Sequence, residues 1–207
     1  MLNFFTNILK IIKLNNIDKK TREIVFYSEG SDSWLHLKPL IQEFFKKFDR
    51  KLFYITSSKN DLGLDYKNDN LVTFVIDNVF ARNWIISNLE ANFLIMTTPD
   101  LNKFGFNKSP KVKNHVYVQH SLCSMHMIYR EKAFNFYDVI LCNGDYQVKE
   151  IEEIIKIYKL KKIRTIKYGY PRIENIKKNL KLIEKKIKFH NDNKVILIAP
   201  SWGENCI

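Results

Sequence analysis

Hydrophobic positions along this chain fall into two patterns that alternate. Short, nearly uninterrupted apolar runs, EIVFYSEG, KLFYITSS, LVTFVI, NFLIMTT, HVYVQHS, DVILCNG and IRTIKYGYP, are separated by longer segments. In several of those segments apolar residues recur every three or four positions. A short run of β-branched and aromatic residues bounded by Ser, Thr, Asn or Gly predicts a strand, and the 3.6-residue period predicts a helix. SDSWLHLKPLIQEFFKKF opens on an Asp/Ser cap signal and carries Leu37, Leu40, Ile41, Phe44 and Phe45 at helical spacing. NVFARNWIISNLE and DYQVKEIEEIIKIYKL read as further helices, and KKNLKLIEKKIKFHNDNK as a basic helix followed by a turn.

Strands that are apolar almost throughout and alternate with helices imply an α/β fold with a doubly wound parallel sheet, Rossmann-like and covered on both faces. Ligands of such sheets bind beyond the carboxyl ends of the strands. The residues to interrogate are therefore Ser28, Glu29 and Gly30; Thr97, Thr98 and Pro99; Gln119, His120 and Ser121; Asn143, Gly144 and Asp145; and Gly169, Tyr170, Pro171 and Arg172. Neither G-x-G-x-x-G nor G-x-x-x-x-G-K-[ST] occurs, so no dinucleotide fingerprint or P-loop supports a cofactor.

His120 ends the run HVYVQHS, where an imidazole with an ordinary pKa of about 6.5 can accept a proton at neutral pH. General base is one reading of it, and a hydrogen-bonded structural residue is the other. His126 sits in SMHMIYR among Met125, Met127 and Ile128, which suggests packing. No acidic or cysteine partner completes a metal-ligand spacing with the two histidines, and G-x-S-x-G is missing.

The first segment, MLNFFTNILKIIKLNNIDKK, places Phe5, Ile8, Leu9 and Ile12 at helical spacing with Lys10 and Lys13 between them. It is too short and too charged to span a bilayer, and its charges follow the apolar part, unlike a signal peptide. Two readings stand side by side: a helix packed on the domain, and an anchor lying in an anionic membrane surface.

Composition narrows the setting. At 207 residues, 45% hydrophobic, the chain holds a core of about one domain or a little more. Its three cysteines, Cys123, Cys142 and Cys206, are odd in number and form no C-x-x-C pair, which fits a reducing, cytoplasmic setting. The formal charge of +12 discriminates poorly, because only six of the 34 basic residues are arginine, the residue phosphate readers favour. The basic helix reads as a solvated face, and no nucleic-acid partner is expected.

Taken in order, the segments VYVQHSL, YDVILCNGDYQ, IKYGYPRIENI and VILIAPSWGEN, within residues 115–207, resemble the CDP-glycerol glycerophosphotransferase family, which includes teichoic acid primases and polymerases of GT-B fold. The resemblance implies that His120 is the catalytic base of the first Rossmann-like domain. It also brings Gly169, Pro171 and Arg172, together with Pro200, Ser201 and Trp202, to the nucleotide side of an interdomain cleft. Strand-end position puts Gln119, Ser121, Glu29, Gly30, Gly144 and Asp145 on the substrate side, where the helix amino terminus at Gly144 and Asp145 would offer N–H groups to phosphate. The chain departs from the family pattern at Gln119, where tryptophan often stands, at Ser121, where glycine stands, and at Gly203, where arginine often follows. No Asp-x-Asp occurs, so neither a metal nor another cofactor is expected.

The implied activity is transfer of glycerol phosphate, or a related polyol phosphate, from a CDP-activated donor to a hydroxyl of a cell-surface polymer or its lipid-linked precursor. The setting would be the cytoplasm, peripheral to the inner face of the membrane. A GT-B glycosyltransferase using a nucleotide sugar is the alternative enzyme, and a non-catalytic α/β binding module with a basic surface is the alternative of another class. The expected organisation is an amphipathic helix at 1–17, the first domain at 18–172, a basic helical linker at 173–193 and, at 194–207, the start of a second Rossmann-like domain that the chain leaves incomplete.

Overall fold

The computed structural model describes residues 16–183 together with Thr6, Leu9, Ile12 and Leu14, and describes side chains as far as Leu180. The expectations for Phe5 and Ile8, for the end of the basic helix, and for Pro200, Ser201, Trp202 and Cys206 fall outside the described residues. Two compact units divide the chain, residues 1–172 and 173–207.

Seven strands form one sheet in the first unit: β1 (Ile24–Ser28), β2 (Leu52–Thr56), β3 (Leu71–Val75), β4 (Ala91–Met96), β5 (Val112–Val118), β6 (Val139–Cys142) and β7 (Arg164–Lys167). Their order is β3-β2-β1-β4-β5-β6-β7, and every neighbouring pair is parallel. Helix α1 (Ser31–Lys47) joins β1 to β2, α2 (Val79–Asn88) joins β3 to β4, α3 (Asp145–Ile157) joins β6 to β7, and α4 (Pro171–Ile183) follows β7. The doubly wound parallel sheet expected from the alternating patterns is thus the observed fold.

The strands sort their side chains by the two-residue period of a pleated sheet. Phe26, Leu52, Tyr54, Val116, Val118, Val139 and Leu141 pack on one face with Trp34, Leu37 and Ile41 of α1. Val25, Tyr27, Phe53, Ile55, Leu94, Met96, Tyr117, Ile140 and Cys142 pack on the other with Ala81, Ile85 and Ile86 of α2 and Ile151 and Ile154 of α3. The chain winds one way from β1 to β2 and the other way from β3 to β4, so right-handed crossovers put α1 and α2 on opposite faces. Leu14 joins the second face, only 1% exposed, while Leu9 and Ile12 are exposed.

That winding reverses between β1 and β4, which pair directly from Ile24↔Phe93 to Tyr27↔Met96. A crevice opens where the two chains leave the sheet in opposite directions. Its wall is braced by the buried carboxylate of Asp61. Oδ2 accepts hydrogen bonds from Ser28 Oγ at 2.7 Å, Tyr54 Oη at 2.8 Å and Thr56 Oγ1 at 2.6 Å, and Oδ1 accepts one from the Gly63 N–H at 2.8 Å. Gly63 lies so close to Tyr54 that a Cβ there would sit 2.7 Å from the ring. Gly30, at φ 152°, turns the chain from β1 into α1 through a region that side-chain-bearing residues rarely adopt.

Among the described residues no helix is long and apolar enough to cross a membrane.

Candidate active site

The crevice holds a cleft of about 280 Å³ lined by Glu29, Gly30, Ser31, Asp32, Ser33, His36, Thr97, Pro99 and His120. β1 and the start of α1 supply one wall, the exit of β4 supplies Thr97 and Pro99, and the exit of β5 supplies His120. Thr97 Oγ1 donates to Ser33 Oγ at 3.0 Å, and the Glu29 N–H donates to the same oxygen at 3.3 Å, so the walls are tied together at the floor. Ser31 Oγ donates to the Asn60 carbonyl at 3.0 Å and accepts from the Leu62 N–H at 3.2 Å, fixing the helix start to the loop after β2.

His120 is held on all sides. Its Nδ1 lies 3.0 Å from Tyr117 Oη, its Nε2 has a longer contact of 3.4 Å with Tyr129 Oη, its N–H donates to Gln119 Oε1 at 3.2 Å, and its carbonyl accepts from Tyr170 Oη at 3.0 Å. Burial lowers the pKa of the ring, with a hydrogen bond to the Thr97 backbone opposing the shift. The imidazole is therefore neutral at physiological pH and carries one basic nitrogen. Burial raises the Tyr117 phenol well above its ordinary value, so the partner of Nδ1 remains protonated.

A second imidazole faces it. His36, in the second turn of α1, has its ring centroid 5.9 Å from that of His120 and 5.7 Å from that of Tyr170. Burial, then the neighbouring His120 and the Arg172 guanidinium, push its pKa down to about 4, with Asp32 acting the other way. His36 makes no side-chain hydrogen bond among the described residues.

The residues picked out from the sequence divide in three. Glu29, Gly30, Thr97, Pro99 and His120 line the cleft. Gln119 and Ser121 adjoin His120 without lining the cleft. Gln119 is 2% exposed and accepts the His120 N–H, while the Ser121 carbonyl accepts from Asn143 Nδ2 at 2.6 Å. Tyr170 and Arg172 reach His120 and His36 from the segment after β7, of which Gly169 forms the left-handed turn and Pro171 the first residue of α4. Gly144 and Asp145 stand apart from the cleft at the start of α3, where Asp145 pairs with Lys167.

Six residues of the site were not singled out: Ser31, Asp32, Ser33, His36, Tyr117 and Tyr129. Their signal was positional only, polar residues in the opening turns of α1 and tyrosines just before and after His120.

A larger cavity, about 590 Å³, lies against α3 and includes Met125, His126, Phe134, Glu150, Ile154 and Tyr158. Glu150 there accepts from the Met125 N–H at 2.7 Å and lies 3.6 Å from His126 Nδ1; the packing expected for that histidine is not found, because only Met125 of the segment is buried while His126, Met127 and Ile128 are exposed. The acid–base groups converge on the smaller cleft. Among the described residues no group of three or more His, Cys, Asp or Glu is placed to hold a metal ion.

A family model described as CDP-Glycerol:Poly(glycerophosphate) glycerophosphotransferase matches residues 9–206. No curated protein matches the chain. A solved structure of the wall teichoic acid polymerase TagF, in a histidine-to-asparagine variant, is similar with a TM-score of 0.53 and 15% sequence identity, over 99% of this chain. At that identity the likeness is one of fold, and the chain spans 57% of the length of the TagF chain.

Proposed function

The chain belongs to the CDP-glycerol:poly(glycerophosphate) glycerophosphotransferase family, and from that premise we propose that it carries the acceptor-side domain of an enzyme transferring glycerol phosphate, or a related polyol phosphate, from a CDP-activated donor. The acceptor is a hydroxyl of a cell-surface polymer or its lipid-linked precursor. The observation that carries this reading is the neutral His120 at the carboxyl end of β5, inside a cleft at the point where the sheet reverses.

The chemistry needs one proton moved and one phosphorus–oxygen bond exchanged. The reaction uses the tautomer in which Nδ1–H donates to Tyr117 Oη and the lone pair of His120 is on Nε2, whose contact to Tyr129 is the longer of the two. An acceptor hydroxyl replaces that contact, gives its proton to Nε2 and attacks the phosphorus of the donor's polyol phosphate. The bond to the bridging oxygen breaks and CMP leaves with the electron pair. Tyr117 and Tyr129 orient the ring, and Tyr170 fixes the backbone that bears it. The Gly169–Arg172 segment lies on the nucleotide side in this proposal.

The test is a transfer assay on a protein extended through the nucleotide-binding half, with CDP-glycerol, CDP-ribitol and nucleotide sugars as donors and free nucleotide as the readout. Acceptor-dependent release of CMP supports the reading. Release from a nucleotide sugar alone transfers it to the glycosyltransferases, and no release from any donor leaves the domain a binding module.

A further inference from the structure

The lining of the cleft has a charge and hydrogen-bonding character of its own. Glu29 and Asp32 bring two carboxylates, Ser31, Ser33 and Thr97 bring hydroxyls, His36 and His120 bring imidazoles, and among the described residues neither lysine nor arginine lines it. A phosphate group is held by cations and clustered N–H donors. The amino terminus of α1 offers such donors, but Asp32 in its first turn already answers the helix dipole. The Arg172 guanidinium is exposed and reaches this space only through its field on His36.

Alcohols have the matching chemistry. Each hydroxyl donates to a carboxylate or an imidazole nitrogen and accepts from an imidazole N–H. His36 has that capacity unspent, because no side-chain hydrogen bond occupies it among the described residues, and its ring stands 5.9 Å from the His120 ring with an interplanar angle of 69°.

Resting on the transferase reading above, we propose that this cleft is the subsite for the uncharged polyol end of the acceptor. His36 hydrogen-bonds a hydroxyl adjacent to the one that His120 deprotonates, and Glu29 and Asp32 bind further hydroxyls while repelling phosphate. His36 is thus a specificity residue, and the charged parts of donor and acceptor lie outside the cleft.

The experiment is a titration of the 207-residue chain with glycerol and, separately, with inorganic phosphate, following the ring C–H resonances of His36 and His120 by NMR. Glycerol is expected to shift both rings saturably and phosphate neither. His36→Asn weakens glycerol binding roughly tenfold, the loss of about one hydrogen bond. Glu29→Gln combined with Asp32→Asn admits phosphate, with affinity raised about tenfold or more. Where His36→Asn fails to fold, the charge variant carries the test. Phosphate binding to the unaltered chain as tightly as glycerol overturns the proposal, and so does glycerol that moves neither ring. The readout needs neither nucleotide nor turnover. Glycerol binding with no transfer by the extended protein would therefore overturn the transferase reading while leaving the polyol site.

Discussion

His36 and His120 face each other across the cleft with ring centroids 5.9 Å apart, one from the second turn of the first helix and the other from the end of the fifth strand. Two imidazoles so close do not both charge readily, since each cation raises the cost of the second.

Acid stability should therefore carry the signature of His36. Its pKa falls from 6.5 to about 4 in the folded chain, chiefly through burial. Below the unfolded value the unfolded state binds more protons, so this stabilising contribution is complete above about pH 6.5 and lost as pH falls toward the folded value. The melting temperature of the chain should drop between about pH 6.5 and 4, and His36→Asn should flatten that part of the curve. An unchanged profile in the variant would remove His36 as its source.

In the extended protein, His120→Ala should lower kcat by roughly 10²–10⁴, the range for loss of a general base, with the melting temperature nearly unchanged. Its pKa is lowered by burial, so the acidic limb of kcat/KM should lie below the ordinary histidine value of about 6.5. His126→Ala, at the exposed rim of the other cavity, should leave kcat unaltered. Release of nucleotide at the normal rate by His120→Ala would take the residue out of the mechanism.

Asp61 should matter more to stability than any other carboxylate near the site. Replacing it by Ala removes the acceptor shared by three buried hydroxyls and the Gly63 N–H, although Ser28 Oγ keeps the Gly30 carbonyl and Thr56 Oγ1 a 3.5 Å contact with the Ser58 carbonyl, at a cost of about 3 kcal/mol. Asp61→Asn keeps acceptors for some of them and should cost less. Gly63→Ala, whose new methyl would meet Tyr54 at 2.7 Å, should cost about 1–3 kcal/mol through overpacking. Urea unfolding of the full chain reads all three.

The amino-terminal segment can be tested separately. Leu14 is buried while Leu9 is 65% and Ile12 48% exposed, so the segment leaves apolar surface available, and its sequence places Lys10 and Lys13 among those positions. Vesicles containing anionic lipid should sediment the protein, and salt should weaken the association, because lysines near such a surface contribute about 1 kcal/mol each. Equal sedimentation after deletion of residues 1–17 would locate the contact elsewhere.

The elements were legible because their periods are strong. β2 and β6 are buried at every position, and the helical spacing of Leu37 and Ile41 survived Pro39 within α1. His120 was legible because a strand end in an open parallel sheet is already a functional address. His36 was not, because a histidine early in an amphipathic helix looks like a solvated position. Only the placement of β1 beside β4 brings the start of that helix over the crevice. Tyr117 read as part of a strand, and nothing local marks its hydroxyl as the partner of Nδ1. Gly144 and Asp145 obeyed the strand-end rule and yet lie apart, since β6 sits two strands beyond the reversal.

The wholly parallel sheet also governs how the chain reaches this structure. No two neighbouring strands are linked by a hairpin, so no ladder can nucleate locally, and each closes only after a long loop has been ordered. The centre is the most delayed. Ile24 of β1 pairs with Phe93 of β4, so during synthesis the first three strands emerge well before β1 acquires its second neighbour. Until then the β1 flank formed by Val25, Phe26 and Tyr27 is an open, apolar edge. Folding of this topology is slow, and the interval in which that edge waits is when the nascent chain is most vulnerable to misassociation.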